Sequence, residues 1–257
     1  SMNKILIYFL LGTLGTMSCS SKSNETKEKN QQEDSLFSTT EAPALPVAFL
    51  PLDSLPFYPD ARVELNTPLG NQVFKPGKVP FEFNIKNFSQ SVTAASSQRF
   101  AMILNGGEPE YYTAPIFQRE LTLGTYRSVA FLLDSNGIAL KNFGNYVDRD
   151  FLVGDSRPFP YSAEPYLAIN LPRNEQILPF GEDLILDFLV LGGDLELDGL
   201  KVNVWVNAYQ TTLNQVTPIR VTHLPIGDYR VKLQLVRKDD KELEGPFSSS
   251  TKTIYVR

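Results

Sequence analysis

The chain has few of the residues on which most catalytic and metal-binding centres depend. Its 257 residues include one cysteine, Cys19, one histidine, His223, and one tryptophan. These counts exclude an internal disulfide and a zinc site built from several His or Cys ligands. Ser-His-Asp or Cys-His catalysis would have to use His223, whose counterpart in the internal repeat described below is Glu120. That change of residue type favours an exposed, non-catalytic position.

Positive charge and helical periodicity are also scarce. The chain has 24 Lys and Arg against 29 Asp and Glu, a net charge of −5, and no run of basic residues. Proteins that track nucleic-acid phosphates cluster Lys and Arg, so we expect no nucleic-acid partner. No stretch repeats apolar residues every 3.6 positions between capping residues, so we predict almost no helix.

The acidic residues do not single out a metal site or a pair of catalytic carboxylates. Asp194-Leu-Glu-Leu-Asp198-Gly199 follows the alternating acids of a calcium loop, but Trp205 stands at the twelfth position, where such a loop has Glu. We therefore interpret this stretch as a polar-out strand running into a turn. A hydrolase with two facing carboxylates stays open as an alternative, without residues to assign to it. The sequence predicts no enzyme, cofactor or metal.

The amino terminus carries an export signal. Asn3-Lys4 is followed by an apolar run, Ile5 to Leu14, and by small residues that end at Cys19. The run is too short to cross a bilayer of about 30 Å, so we predict a signal peptide over 1–19. A cysteine at this exit resembles the lipobox of bacterial lipoproteins, with Thr16 where Leu is usual. It predicts lipidation of Cys19; the alternative is an ordinary secretory signal in which Cys19 is incidental.

The next forty residues predict a spacer between an anchor and a folded part. Residues 20–40 are rich in Ser, Asn, Gln, Lys and Glu, a composition that buries too little apolar surface to repay ordering, so we predict a disordered tether. Residues 42–59 contain five prolines, and we interpret them as an extended lead-in that packs against the first folded module. Together these segments make up the predicted tether and lead-in over 20–59.

One stretch of the chain occurs twice. Pro115 to Leu140 reappears as Pro218 to Leu243, with eight of 26 positions identical. The shared residues include a Leu-x-x-Gly-x-Tyr pattern that ends at Tyr126 and at Tyr229. A duplicated module explains this similarity, so we predict two domains, at 60–156 and 160–257. The short connection carries two prolines, and we expect the modules to hold a defined, elongated relation.

Both modules have the pattern of an all-β sandwich. Val79 to Ile85 alternates apolar and polar residues, Leu184, Leu186, Phe188 and Val190 recur at alternate positions, and turn residues recur every 8–14 positions. About seven short strands in 95 residues are typical of an immunoglobulin-like or fibronectin-III-like sandwich. Tyr126 and Tyr229, just after a turn glycine, fit the tyrosine corner of such folds. We predict two tandem immunoglobulin-like antiparallel β-sandwiches.

The combination of leader, tether and tandem sandwiches with an Asn-x-Pro opening at Asn66 and Asn170 resembles uncharacterised lipoproteins of Bacteroidota with tandem immunoglobulin-like domains. The resemblance implies an exported outer-membrane lipoprotein, either periplasm-facing or on the cell surface. Ser20, directly after the cysteine, favours the outer membrane. The resemblance implies no chemistry.

Aromatic residues in loops of the first module are the candidate ligand-binding residues: Tyr111, Tyr112, Phe143 and Tyr146. Flat aromatic side chains bind ligands at low cost in entropy, although they also cover the open ends of β-sandwiches. We therefore predict a non-enzymatic lipoprotein, held to the membrane by acylated Cys19, that serves as a binding or spacer module for a protein or glycan partner of the envelope. The alternative function is a glycan-binding lipoprotein of a polysaccharide-uptake system.

Overall fold

A computed structural model describes residues 44–55, 57–88, 100–161 and 163–257. The predicted signal peptide, Cys19 and the polar tether lie outside the described residues. Within these ranges the chain consists of strands, turns and irregular segments, with no helix. The described part accordingly contains no helix with the length and hydrophobicity needed to cross a membrane.

A short strand, β1 (Ala48–Pro51), precedes the first sandwich and pairs with the second. The eight strands of the first sandwich are β2 (Arg62–Thr67), β3 (Gln72–Phe74), β4 (Gly77–Lys86), β5 (Phe100–Leu104), β6 (Glu110–Tyr112), β7 (Ile116–Leu121), β8 (Gly124–Leu132) and β9 (Tyr146–Val153). They form one sheet in the order β2-β4-β7 and a second in the order β3-β9-β8-β5-β6. All pairs are antiparallel except β3 with β9.

The second sandwich repeats this order. Its strands are β10 (Tyr166–Leu171), β11 (Gln176–Leu178), β12 (Leu184–Leu191), β13 (Leu200–Val206), β14 (Tyr209–Leu213), β15 (Ile219–Thr222), β16 (Gly227–Arg237) and β17 (Ser249–Val256). The sheets run β1-β15-β12-β10 and β11-β17-β16-β13-β14, and only β11 with β17 is parallel. Two packed sheets with this repeated strand order make each module an immunoglobulin-like sandwich.

Local features of the sequence account for much of this architecture. The hydroxyl of Tyr126 donates to the Thr122 carbonyl at 2.9 Å, and that of Tyr229 donates to the Pro225 carbonyl at 2.6 Å, so both predicted tyrosine corners are confirmed. Pro80 lies in the half of β4 that pairs with β7 alone, where a residue without a backbone N–H is tolerated.

The lead-in differs from its prediction, because its strand joins the second sandwich rather than the first. β1 pairs antiparallel with β15, from Ala48 opposite Thr222 to Pro51 opposite Ile219. It occupies the edge that the first sandwich leaves open at β7. A few residues later, the Tyr58 ring meets the Phe88 ring edge-on in the first module, at 5.4 Å. The lead-in therefore contacts both modules.

The turn at 194–199 also differs from its prediction. Residues 194–199 form no strand and lie between β12 and β13. Asp194 Oδ1 accepts the amides of Glu196 and Leu197, and Asp198 Oδ2 accepts the amide of Asp194. Leu195 is buried beneath the turn. The alternating acids therefore hold a compact turn through bonds to the backbone, which is the usual behaviour of Asp in turns.

Three apolar cores stabilise the described chain, and the third lies between the modules. The first two fill the sandwiches. The third joins the outward side chains of β5 and β8 to those of β10 and β12, with Ala139 beside them. Its buried members are Ala101, Ile103, Val129, Phe131, Leu133, Ala139, Tyr166, Ala168, Leu189 and Leu191. The modules thus pack sheet face against sheet face, side by side, instead of in the elongated relation expected from the linker.

Candidate functional site

Two regions of the described chain carry side chains that contact another module or are exposed for contact with a ligand. The first, which we call the joint, is the third core with the polar groups around it. The second, which we call the Trp205 face, is the outer face of the sheet containing β13 and β16. On the Trp205 face β13 alternates strictly, with buried Leu200 and valines between half-buried side chains. The strands of the joint are buried on both faces.

A buried carboxylate of the second module is held by the first. Asp187, on β12, is 0% exposed. Its Oδ2 accepts the amide of Ala139 at 2.8 Å and the side-chain amide of Asn170 at 2.7 Å, while its Oδ1 pairs with the Lys141 ammonium. A buried charge is tolerated when it is paired and hydrogen-bonded. Lys141 and Ala139 belong to the first module, so the charge of Asp187 is satisfied only when the modules are joined.

A guanidinium of the first module is enclosed by aromatic rings of the second module and the linker. Arg127, on β8, makes a bidentate pair with Asp150 on β9, at 2.7 and 2.9 Å. Its guanidinium carbon lies 4.5 Å from the ring centre of Tyr166, 5.3 Å from that of Phe159 and 5.5 Å from that of Phe247. Cations near aromatic faces are attracted by the ring quadrupole, more strongly where water is excluded.

Two further contacts complete the joint. The Tyr166 hydroxyl donates to Asp148 Oδ2 at 2.6 Å, and burial, followed by the charge of Asp148, raises the pKa of this phenol. Glu108 accepts the amide of Asn174 at 3.1 Å and pairs with the Lys252 ammonium at 3.2 Å. Burial lowers the pKa of Lys252, against the opposing effect of Glu108. Polar contacts thus surround the apolar layer.

The Trp205 face carries the tryptophan between two shallow concavities. One, of about 380 Å³, is lined by Trp205, Asn207, Arg230, Lys232 and Thr251. The other, of about 410 Å³, is lined by Lys201, Asn203, Trp205, Gln210, Thr211, Thr212 and Asp240. The Lys232 ammonium lies 5.2 Å from the centre of the Trp205 ring.

The Trp205 face and the face buried in the joint are equivalent surfaces of the two modules. The amide of Arg127 donates to Asn105 Oδ1 at 2.7 Å, and that of Arg230 donates to Asn207 Oδ1 at 2.8 Å. Each asparagine has a positive φ of 50°. This shared hydrogen bond aligns Asn105 with Asn207 and Arg127 with Arg230, so Ile103 corresponds to Trp205. The sequence contained a signal for the Trp205 face, since alternation in Lys201 to Asn207 already turns Trp205 outward.

The structure places the four predicted aromatic residues in three separate environments. Tyr111 and Tyr146 border the joint, and Tyr111 donates to Asn170 Oδ1 at 3.3 Å. Tyr112, on the opposite face of β6, stacks on Phe117 with ring centres 3.9 Å apart. Burial raises the pKa of all three tyrosines.

Phe143 is separate from these residues, at the tip of a loop, with 86% of its surface exposed. Its carbonyl accepts a hydrogen bond from the Arg62 guanidinium at 3.0 Å. His223 is also exposed, just after β15, and its Nδ1 lies 3.2 Å from the Pro46 carbonyl of the lead-in. The structure therefore does not bring the four aromatics together into one surface.

No protein-family model and no curated protein matches the chain. Solved structures with similar folds include the three N-terminal domains of the bacteriophage RB49 highly immunogenic outer capsid protein, at 13% identity and a TM-score of 0.23, covering 77% of this chain and 70% of that one. The insect immune protein hemolin gives 11% identity and a TM-score of 0.24, covering 77% and 47%. Dpr2 Ig1-Ig2 in complex with DIP-Theta Ig1-Ig3 gives 9% and 0.24, covering 76% and 99%. TM-scores this low carry no functional information.

Proposed function

We propose that this chain is a non-enzymatic lipoprotein of the cell envelope, in which acylated Cys19 holds two fused sandwiches at the outer membrane as a binding or spacer unit of an assembly. The joint is the observation that carries the proposal. A spacer must keep its two ends at a fixed relation, and a third core with a buried Asp187–Lys141 pair gives the two modules one common packing.

The lead-in adds a second support. β1 is hydrogen-bonded into the second sandwich, and Leu52 donates to the Pro218 carbonyl at 2.9 Å just beyond it. A tether that precedes β1 is thus continuous with a strand of a folded sheet. The resemblance to Bacteroidota lipoproteins with tandem immunoglobulin-like domains is in line with such an anchored unit.

The anchor is tested by following the protein in membrane fractions of a bacterial host. We expect the unmodified sequence to fractionate with membranes, and Cys19→Ala or treatment with globomycin to change both its size and its fractionation. Ser18→Ala is the matched control, because it alters the same exit without removing the thiol. Unchanged size and fractionation in Cys19→Ala would refute the lipoprotein assignment.

A glycan-binding lipoprotein of a polysaccharide-uptake system is the second candidate. The observation that favours it is the Trp205 face, where an aromatic ring stands among amide and hydroxyl side chains on an otherwise open sheet. A glycan array discriminates the two functions. We expect a hit if the chain feeds an uptake system, and none if the chain serves only as a spacer.

A further inference from the structure

The Trp205 face has no counterpart of the acid that neutralises the equivalent arginine in the joint. Arg127 lies opposite Asp150 across β8 and β9, and the two form a bidentate pair. Arg230 occupies the same position of β16 but lies opposite Thr253. Arg230 and Lys232 have no ion-pair partner in the described part of the chain. Both cations lie on β16 and line the same concavity as Trp205.

The charge on this face runs against that of the whole protein. The chain has a net charge of −5, yet the concavity that holds Arg230 and Lys232 has no carboxylate in its lining. In the neighbouring concavity Lys201 is paired with Asp240 at 2.7 Å, so that part is close to neutral. An occupant complementary to both parts carries an anionic group at one end and polar, uncharged groups at the other.

The uncharged groups fit hydroxyls better than apolar side chains. Asn203, Gln210 and Thr212 line the neutral concavity with side chains that both donate and accept, as hydroxyl groups do. Thr212 already donates to Asn203 at 3.0 Å, which fixes one such group. The Trp205 ring forms a wall of both concavities and offers an apolar surface against which a sugar ring can pack. An open, nearly flat face suits a chain-like ligand.

We propose that the Trp205 face binds an acidic oligosaccharide. One sugar ring packs against Trp205 beside Asn203 and Gln210, and the carboxylate or sulfate of a neighbouring sugar pairs with Arg230 and Lys232. This inference rests on the second candidate function and names its ligand class. It does not depend on the lipid anchor, so the two proposals can fail separately.

The single tryptophan provides the test. Because Trp205 is the only tryptophan in the chain, its fluorescence reports on this face alone. The full chain is titrated with hexasaccharides of polygalacturonate, alginate and chondroitin sulfate, and with neutral maltohexaose and xylohexaose. We expect a saturable change in emission with at least one acidic series. Arg230→Gln and Lys232→Gln should each weaken that binding about tenfold or more, with unchanged circular dichroism and melting temperature.

Three controls make the result decisive. Lys78→Gln removes an exposed cation from the first module and should leave binding unchanged; equal weakening by Lys78→Gln would show non-specific attraction and overturn the site. If neutral sugars bound as tightly as acidic ones, and Arg230→Gln did not weaken their binding, the acidic ligand class would be overturned. Poly-glutamate that competes equally would overturn the saccharide class. Absence of any emission change and of retardation in gels containing each polysaccharide would overturn the whole inference.

Discussion

The same sheet face occurs twice in this molecule with opposite chemistry. In the first module its outward positions are Ala101, Ile103, Val129 and Phe131, and in the second they are Asn203, Trp205, Lys232 and Gln234. The first set is buried against the second module. In the second set Asn203, Trp205 and Lys232 border open concavities, and Gln234 is half-buried and donates to Glu242 at 3.3 Å. The two modules share one frame, and four outward side chains decide whether the face becomes a core or a surface.

The side of the joint formed by β10 and β12 of the second module also differs from its equivalent in the first module. β4 alternates between buried and exposed or half-buried side chains, with Lys78, Pro80 and Glu82 turned to solvent. β12, its equivalent, is apolar on both faces around one buried acid, Asp187. A strand that is covered on both sides needs apolar residues at every position except where a charge is specifically paired. The copies thus differ where they contact each other and agree where each must fold alone.

The largest expected effect on stability distinguishes the buried face of the joint from the Trp205 face. Phe131→Ala removes a ring that is 0% exposed at the centre of the joint, and we expect it to lower the free energy of unfolding by about 3–5 kcal/mol. The counterpart of Phe131 is Gln234, which is half-buried on the Trp205 face. Gln234→Ala should change the free energy of unfolding by less than about 0.5 kcal/mol. Urea unfolding of both variants measures the difference. Similar values for the two positions would mean that the joint does not form in solution.

The buried ion pair gives the next effect. Lys141→Met leaves the Asp187 carboxylate enclosed without its ammonium partner, and we expect a loss of about 3 kcal/mol, at the low end for a broken buried pair because Lys141 lies near the surface. Lys86→Met breaks the exposed pair with Glu64 and should cost less than about 0.5 kcal/mol. Denaturant midpoints compare them. A loss in Lys141→Met no greater than in Lys86→Met contradicts the role given to Asp187.

The strand contributed by the lead-in should have a smaller effect. Phe49 packs half-buried against the core of the second sandwich, whereas Leu50, next to it on β1, is exposed. We expect Phe49→Ala to cost about 1–2 kcal/mol, roughly half of a full core truncation, and Leu50→Ala to cost less than about 0.5 kcal/mol. Thermal melts of the two variants test this. Equal costs would indicate that β1 is not docked in the second sandwich.

The smallest expected effect depends on pH. Asp134 is buried near the joint, and burial raises its pKa above the ordinary 3.8 despite hydrogen bonds from the amides of Ile138 and Asn136. A raised carboxyl pKa means that the ionised form destabilises the folded state. This cost is full at pH 7 and disappears below the unfolded pKa, where both states are protonated.

Asp134→Asn keeps the acceptor oxygen and removes the charge. We therefore expect a rise in Tm of roughly 1–2 °C at pH 7 and no difference from the unmodified protein at pH 3. Asp155→Asn, an exposed acid, is the control and should change Tm at neither pH. An effect of Asp134→Asn that is as large at pH 3 as at pH 7 would rule out the charge as its cause.

Features that depend on one sheet at a time could be predicted from the sequence. Alternation in Val79 to Ile85 predicted a strand and its buried face, and the Leu-x-x-Gly-x-Tyr pattern predicted the two tyrosine corners. These signals work because the residues that specify them lie close together in the chain. The all-β class and the tandem sandwiches follow from them.

Features that depend on two distant segments could not be predicted in the same way. The apolar run from Leu184 to Leu191 signals burial on both faces, but it does not name the surface that covers the second face. Ala48–Pro51 lies among prolines and becomes a strand only because β15 offers a free edge. Tyr111 and Tyr146 are of a residue type common in ligand-binding sites, which is why the sequence suggested that role. Only the packing of the two modules places them beside the joint.

Cysteine labelling at two equivalent positions tests the central comparison most directly. Val129→Cys and Lys232→Cys are each introduced into a Cys19→Ser background, so that each protein has one thiol. Val129 is buried in the joint, and its counterpart Lys232 lines an open concavity. We expect a maleimide to label position 232 at the rate of a free thiol and to label position 129 at least a hundredfold more slowly until the protein is unfolded in urea. Equal labelling rates in the folded proteins would contradict the account.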